Sequence, residues 1–168
     1  MALQEENHKT SSATLVSEVA ASVEIEEIRF DSFAAKFDRS AGQGPLAVQL
    51  SFRASACAEG PKDPKIVVHA DFLMQASPGV VQTDKPCCEI SARITLTYAS
   101  PKACEFTEEH LNAFARTNGI FNAWPYWREL VQSCTVRMGL PAFTVPSLKT
   151  GTPARHQPGN CEQTPQKP

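Results

Sequence analysis

The sequence lacks a polybasic stretch: 16 Lys and Arg stand against 18 Asp and Glu, for a formal net charge of −2. That balance excludes the broad cationic surface that holds nucleic-acid phosphates. No apolar run reaches the roughly 18–20 residues needed to cross a bilayer. The opening MALQEENHKTSSATLV has neither the basic segment nor the apolar core of a secretion signal, so a cytoplasmic protein without membrane insertion is expected. The six cysteines (57, 87, 88, 104, 134 and 161) contain no C-x-x-C pair, and the four histidines show no ligand spacing. Neither a zinc site nor any other metal or cofactor is therefore expected. The glycines of AGQGP (41–45) are followed by no Lys-Ser/Thr and lead into a strand, which excludes a phosphate loop.

Large apolar side chains are also missing from the C-terminal end. Residues 1–13 are polar and aperiodic, and 149–168 are proline-rich, so both are expected to be disordered tails around one folded domain, 14–148. Within that domain, period-2 patterning predicts strands. Leu46, Val48, Leu50, Phe52, Ala54 and Ala56 share one parity; so do Ile66, Val68, Ala70, Phe72 and Met74, and Cys88, Ile90, Ala92, Ile94, Leu96 and Tyr98. The opposite parity holds Gln49, Ser51, Arg53 and Ser55 in the first run, His69, Asp71 and Gln75 in the second, and Glu89, Ser91, Arg93, Thr95 and Thr97 in the third. An earlier strand in SVEIEEIRFDSFAAKF (22–37) changes phase between Ile25 and Ile28, as a β-bulge at Glu26-Glu27 would produce.

After Pro101 the period becomes helical. Thr107 is the expected N-cap of a helix with Glu108 and Glu109 in its first turn, closed by Asn118-Gly119. A second helix is expected from about Asn122 to Met138, with Pro125 in its first turn and Trp127, Leu130, Val131, Cys134 and Met138 as its apolar stripe. The fold class is thus α+β: a four-stranded antiparallel sheet followed by two helices. Sheet edges and leftover apolar surface invite a second copy.

A catalytic reading finds little. Cys134 with His110 is the best nucleophile–base combination, but Cys134 lies on the apolar stripe of a helix. His69 has the polar parity of its strand, and Glu108-Glu109 are explained by the helix dipole. FNAWPYWRE (121–129) is the other concentration of chemistry, gathering Phe121, both tryptophans and Tyr126 around one proline. These rings can staple a helix start to the sheet, line an apolar groove for another polypeptide, or stack on single-stranded nucleic acid; the absent basic groove argues against the last. Arg128 and Glu129 read as fold or interface contacts on the polar side of the helix.

WPYWRELVQSCTVRMGLPAFTVP (124–146) resembles the end of the SecB chaperone family: a ring before Pro-Tyr, then x-Arg-Glu, an amphipathic helix with a late Arg, and a Pro–apolar–Pro tail. FTEEHLNAFARTNGIFNAW (106–124) is similar to SecB-like chaperones linked to toxin–antitoxin systems, and VEIEEIRFDSFAAKF (23–37) to their first strand. The resemblance implies a SecB-like sheet and helix pair assembled as a homotetramer, a dimer of dimers. It also implies a holdase that keeps unfolded or partly folded clients, either preproteins for export or an antitoxin, from aggregating without ATP. The implied polypeptide groove takes in Phe121, Trp124 and Tyr126, then Phe143, Val145 and Leu148, with Phe37 and Leu46 flanking the first connection. Glu89 matches one acid of the sheet face by which export SecB docks on the motor SecA, whereas the matching first-strand positions hold Ser32 and Lys36. The alternatives are a small α+β enzyme using a cysteine nucleophile and a purely structural oligomerisation module.

Overall fold

Each even-parity row of the sequence becomes one row of a single covered sheet face. The computed structural model describes residues 13–41, 44–60, 62–79 and 86–148; apart from Ala13, the two expected tails lie outside these residues. Strands β1 (Glu24–Phe37), β2 (Leu46–Glu59), β3 (Lys65–Pro78) and β4 (Cys88–Ala99) pair antiparallel in the order β1-β4-β3-β2. The two strands that come first in the chain are therefore the two edges. β3 and β4 lie between them, and their even-numbered side chains from Ile66 to Met74 and from Cys88 to Tyr98 form the buried core.

The first strand carries two bulges. Register slips by one residue between Ile25 and Glu27, the bulge expected at Glu26-Glu27, and again between Phe30 and Ser32. The second slip was not read from the sequence, although the change of parity between Phe30 and Phe33 marks it. β2 has a gradient along its covered face: Leu46, Val48, Leu50 and Phe52, then Ala54, Ala56 and Ala58. The alanines suit close approach by the helical segment above, since residues 108–119 pack over β2.

A short helix, α1 (residues 13–20), precedes the sheet and was not expected. Val19 buries fully into the core, and Glu18 reaches His110 across 3.2 Å. Eight residues are too few to hold a helix alone in water, so tertiary packing decides this one.

The helical end also departs from expectation. Helix α2 (Glu108–Phe114) has the expected cap, with Thr107 Oγ1 accepting from the His110 backbone N–H at 3.5 Å. Asn118-Gly119 does not close it. The chain passes through one π-helical turn (Ala115–Gly119) directly into α3 (Ile120–Arg137), and Gly119 stays right-handed at φ −59°. Gly119 is needed for contact instead: a Cβ there would stand 2.7 Å from Val68 Cγ1. Pro125 consequently lies inside α3 rather than in the first turn of a new helix. The expected stripe is otherwise present, with Trp127 stacked on Phe72 at 5.3 Å.

Candidate functional site

Trp124 joins three elements. Its ring meets Phe52 of β2 edge-to-face at 5.4 Å and Phe72 of β3 at 5.9 Å, and its indole N–H donates to the carbonyl of Pro146 at 3.0 Å. One turn on, Arg128 Nε donates to the Val145 carbonyl at 2.9 Å, and Thr135 Oγ1 accepts from the Phe143 N–H at 3.3 Å. These three side chains hold the extended segment 141–148 along one flank of α3. Pro141 and Pro146 cannot donate to a ladder, which suits a strap held by side chains of α3 rather than paired with a strand. Arg128 was expected on the polar side of the helix as a fold contact, and it is one.

Beside this strap lies the half-exposed front of β2. Leu46, Val48, Leu50 and Phe52 share the helix side of the sheet but are only partly buried, because β2 is an edge strand. Phe52 abuts the Trp124 ring, and the row makes a partly open apolar surface, the kind that accepts another polypeptide; Phe143 and Leu148 of the strap are likewise only partly buried. Val48, Leu50 and Phe52 were missed from sequence: their parity marks them as covered, and only their place at a sheet edge reveals that the cover is incomplete.

The expected groove residues do not all meet there. Val145 is fully buried (0% exposed), so its side chain is core and not a groove wall; this corrects the sequence expectation. Trp124 is 8% exposed and supports the surface from below. Phe121 (55% exposed) and Tyr126 (44%) are open but separate. Five residues along an α-helix turn it by about 140° net, placing them on different flanks. Tyr126 faces away from the strap. Phe37 stands opposite Cys88 in β4, across the sheet from the strand that holds Leu46. These two residues flank the first connection but cannot form one wall.

On the β1 side of the same face a second apolar row is open. Ile25, Phe30 and Phe33 are exposed, and Phe30 and Phe33 meet edge-to-face at 6.1 Å. Sequence reasoning placed these residues in a strand but assigned them no role.

The opposite sheet face is polar and tied across strands. Arg53 and Arg93 both bind Asp71, at 3.0 and 2.7 Å, and hydrogen bonding from Arg93 first, then Arg53, holds the Asp71 carboxyl below its ordinary value. Thr95 Oγ1 donates to Asp31, and His69 Nδ1 lies 2.8 Å from the same hydroxyl. The hydroxyl has one proton, already given to Asp31, so His69 donates through Nδ1–H. His69 is a hydrogen-bonded surface histidine, as its parity implied. Glu89 accepts from Gln75 Nε2 at 3.0 Å and faces Lys36 across the β1–β4 pair.

The Cys134–His110 combination does not assemble. His110 spends both ring nitrogens elsewhere, Nδ1 on Thr107 at 2.7 Å and Nε2 on Glu18 at 3.2 Å. Burial pushes the Cys134 thiol up, away from the thiolate a nucleophile needs. Among the described residues, no group of His, Cys, Asp and Glu is arranged to hold a metal. No described helix is long and apolar enough to cross a membrane.

A four-stranded antiparallel sheet with two helices on one face is the fold of a SecB-like chaperone. The structure that carries this comparison is the Mycobacterium tuberculosis SecB-like chaperone Rv1957 in complex with a ChAD peptide from the Rv1956 HigA1 antitoxin. It superposes with a TM-score of 0.70 at 24% identity, covering 83% of this chain and 99% of that one. A protein of unknown function from Streptococcus agalactiae matches at a TM-score of 0.39 and 15% identity, over 74% of this chain and 97% of that one. No protein-family model and no curated protein matches the sequence.

Proposed function

We propose that this protein is an ATP-independent holdase whose clients are non-native polypeptides, and that an aggregation-prone antitoxin is the favoured client. The observation that carries the reading is the half-exposed row Leu46, Val48, Leu50 and Phe52, braced by Trp124 next to the strap that bears Phe143 and Leu148. Such a surface offers area and adaptable apolar contact rather than precise polar readout, which is what a binder of many sequences needs. The antitoxin peptide in the Rv1957 structure supports the client class. Phe121 and Tyr126 are further contact points on the outside of α3, and Phe37 lies at the far end of the first connection.

Assembly follows from the other edge. β1 has an unpaired backbone edge and exposes Ile25, Phe30 and Phe33, so in this reading a second copy docks there, and a dimer of dimers presents several client surfaces to one chain. Export through SecA is the weaker client route, since Glu89 is engaged by Gln75 and opposed by Lys36 rather than set in an acidic field. The enzyme alternative loses its nucleophile with the Cys134–His110 pair. A cytoplasmic holdase needs no nucleotide, so suppression of client aggregation at unchanged rate with and without ATP tests the reading; a purely structural oligomerisation module would assemble without suppressing aggregation.

A further inference from the structure

The two bulges of β1 share a design. At each, the extra residue is an acid: Glu26 between Ile25 and Glu27, and Asp31 between Phe30 and Ser32. Each acid is tied across the sheet on the polar face, Glu26 to Lys65 Nζ at 3.0 Å and Asp31 to Thr95, with His69 completing the second tie. A side chain alternates faces at every residue of a regular strand, so residues three apart point to opposite faces. Ile25 and Ile28 are three apart, and so are Phe30 and Phe33. Yet their cross-strand partners are Tyr98, Leu96, Ile94 and Ala92, all on the helix side. The bulges absorb one residue each and return both apolar pairs to one face. Without the second bulge, Phe33 would fall opposite Ser91 and project from the polar face.

We propose that Asp31 is a positioning residue: held by Thr95, and through it by His69, it fixes the bulge that turns Phe33 beside Phe30 and so builds the apolar edge of β1. The consequence for assembly rests on the reading that a second copy docks on this edge. The order of events within the strand does not rest on it. Asp31 and Ser32 both occupy the polar side, so the helix side receives an unbroken apolar row, and a docking copy meets aromatic surface where a regular strand would offer serine. Glu26 performs the same service for Ile25 and Ile28 through Lys65.

Four variants test this by two readouts: ring-to-ring NOEs between Phe30 and Phe33, and the dissociation constant for self-association from sedimentation. Asp31→Asn retains an acceptor for Thr95 and should keep both. Thr95→Val removes the hydrogen bond across the sheet while Arg29 Nε stays 3.0 Å from Asp31, and Asp31→Ala removes every tie; both should lose the NOE and weaken self-association by about tenfold. Deleting Asp31 leaves Phe30 and Phe33 two apart in a regular strand, so the NOE should survive without a bulge. Retention of the NOE in both Thr95→Val and Asp31→Ala, or its loss on deletion of Asp31 from a protein that still folds, overturns the positioning role. A wild-type chain that stays monomeric while the NOEs behave as stated overturns the β1 docking reading alone.

Discussion

Gly119 and Val68 are in such close contact that a Cβ on residue 119 would lie 2.7 Å from Val68 Cγ1. This joint brings the π-helical turn down onto β3 and sets where α3 begins, and hence where Trp124 lands on Phe52 and Phe72. Gly119→Ala should destabilise the fold by about 1–2 kcal/mol, overpacking outweighing the gain in helix propensity. Val68→Ala should relieve much of that cost, so the double variant should be less unstable than the sum of the single ones in urea denaturation. Additive effects would show that the contact is not what requires glycine.

Trp124 supports the apolar surface rather than lining its mouth. Trp124→Ala removes a nearly buried ring and should cost about 3–5 kcal/mol of stability, so lost client binding in that variant would reflect a damaged core. Arg128→Met, which keeps the stem and removes the donor to the Val145 carbonyl, should instead loosen the strap selectively. Amide exchange within 143–148 should rise while the sheet stays protected; unchanged exchange would contradict a strap held by side chains.

How much of this was legible in the sequence depends on where the signal is local. The period-2 rows located β2, β3 and β4 to within two residues, and the phase change at Glu26 revealed the first bulge. Thr107 was recognisable as a cap because capping is settled within one turn. Gly119 was misread as a helix stop because its reason, Val68, lies about fifty residues earlier in the chain. Helix α1 was missed because its eight residues depend on burying Val19, a tertiary event. The site shows the same division. Trp124 stood out in the aromatic cluster and Phe143 came from the resemblance, whereas the openness of Val48, Leu50 and Phe52 follows from strand order, which no parity rule encodes.

Stability should fall in acid because two carboxylates titrate below their ordinary values. Asp31 is lowered first by the hydrogen bond from Thr95, and Asp71 first by that from Arg93. A carboxyl depressed in the folded state stabilises above its unfolded pKa and loses that contribution as pH falls through the folded value. The urea midpoint should therefore hold from pH 7 to 5 and decline below about pH 4. Asp71→Asn should lower the neutral midpoint and flatten the acid decline; a parallel curve would contradict the assignment.

Thiol reactivity separates the cysteines by burial. The Cys88 thiol is pushed up to about 11, chiefly by desolvation, and Cys134 is raised for the same leading reason. At pH 8 both should alkylate slowly in the native protein, with the exposed Cys57 and Cys104 reacting ahead of them, as followed by mass spectrometry. Because the Cys88 thiol is raised on folding, its contribution to stability should be lost as pH climbs from about 9 toward 11. Fast native alkylation of Cys134 would revive the enzyme alternative.

In the proposed reading, the open front of β2 holds unfolded polypeptide. Its most direct test is nucleotide-free titration of a fluorescently labelled, permanently unfolded client, using wild type and the double variant Leu46→Ser/Leu50→Ser, with assembly checked by sedimentation. The account predicts binding by wild type and affinity at least about tenfold weaker in the variant at unchanged oligomeric state. Equal affinity of the two proteins, with assembly intact, would contradict it.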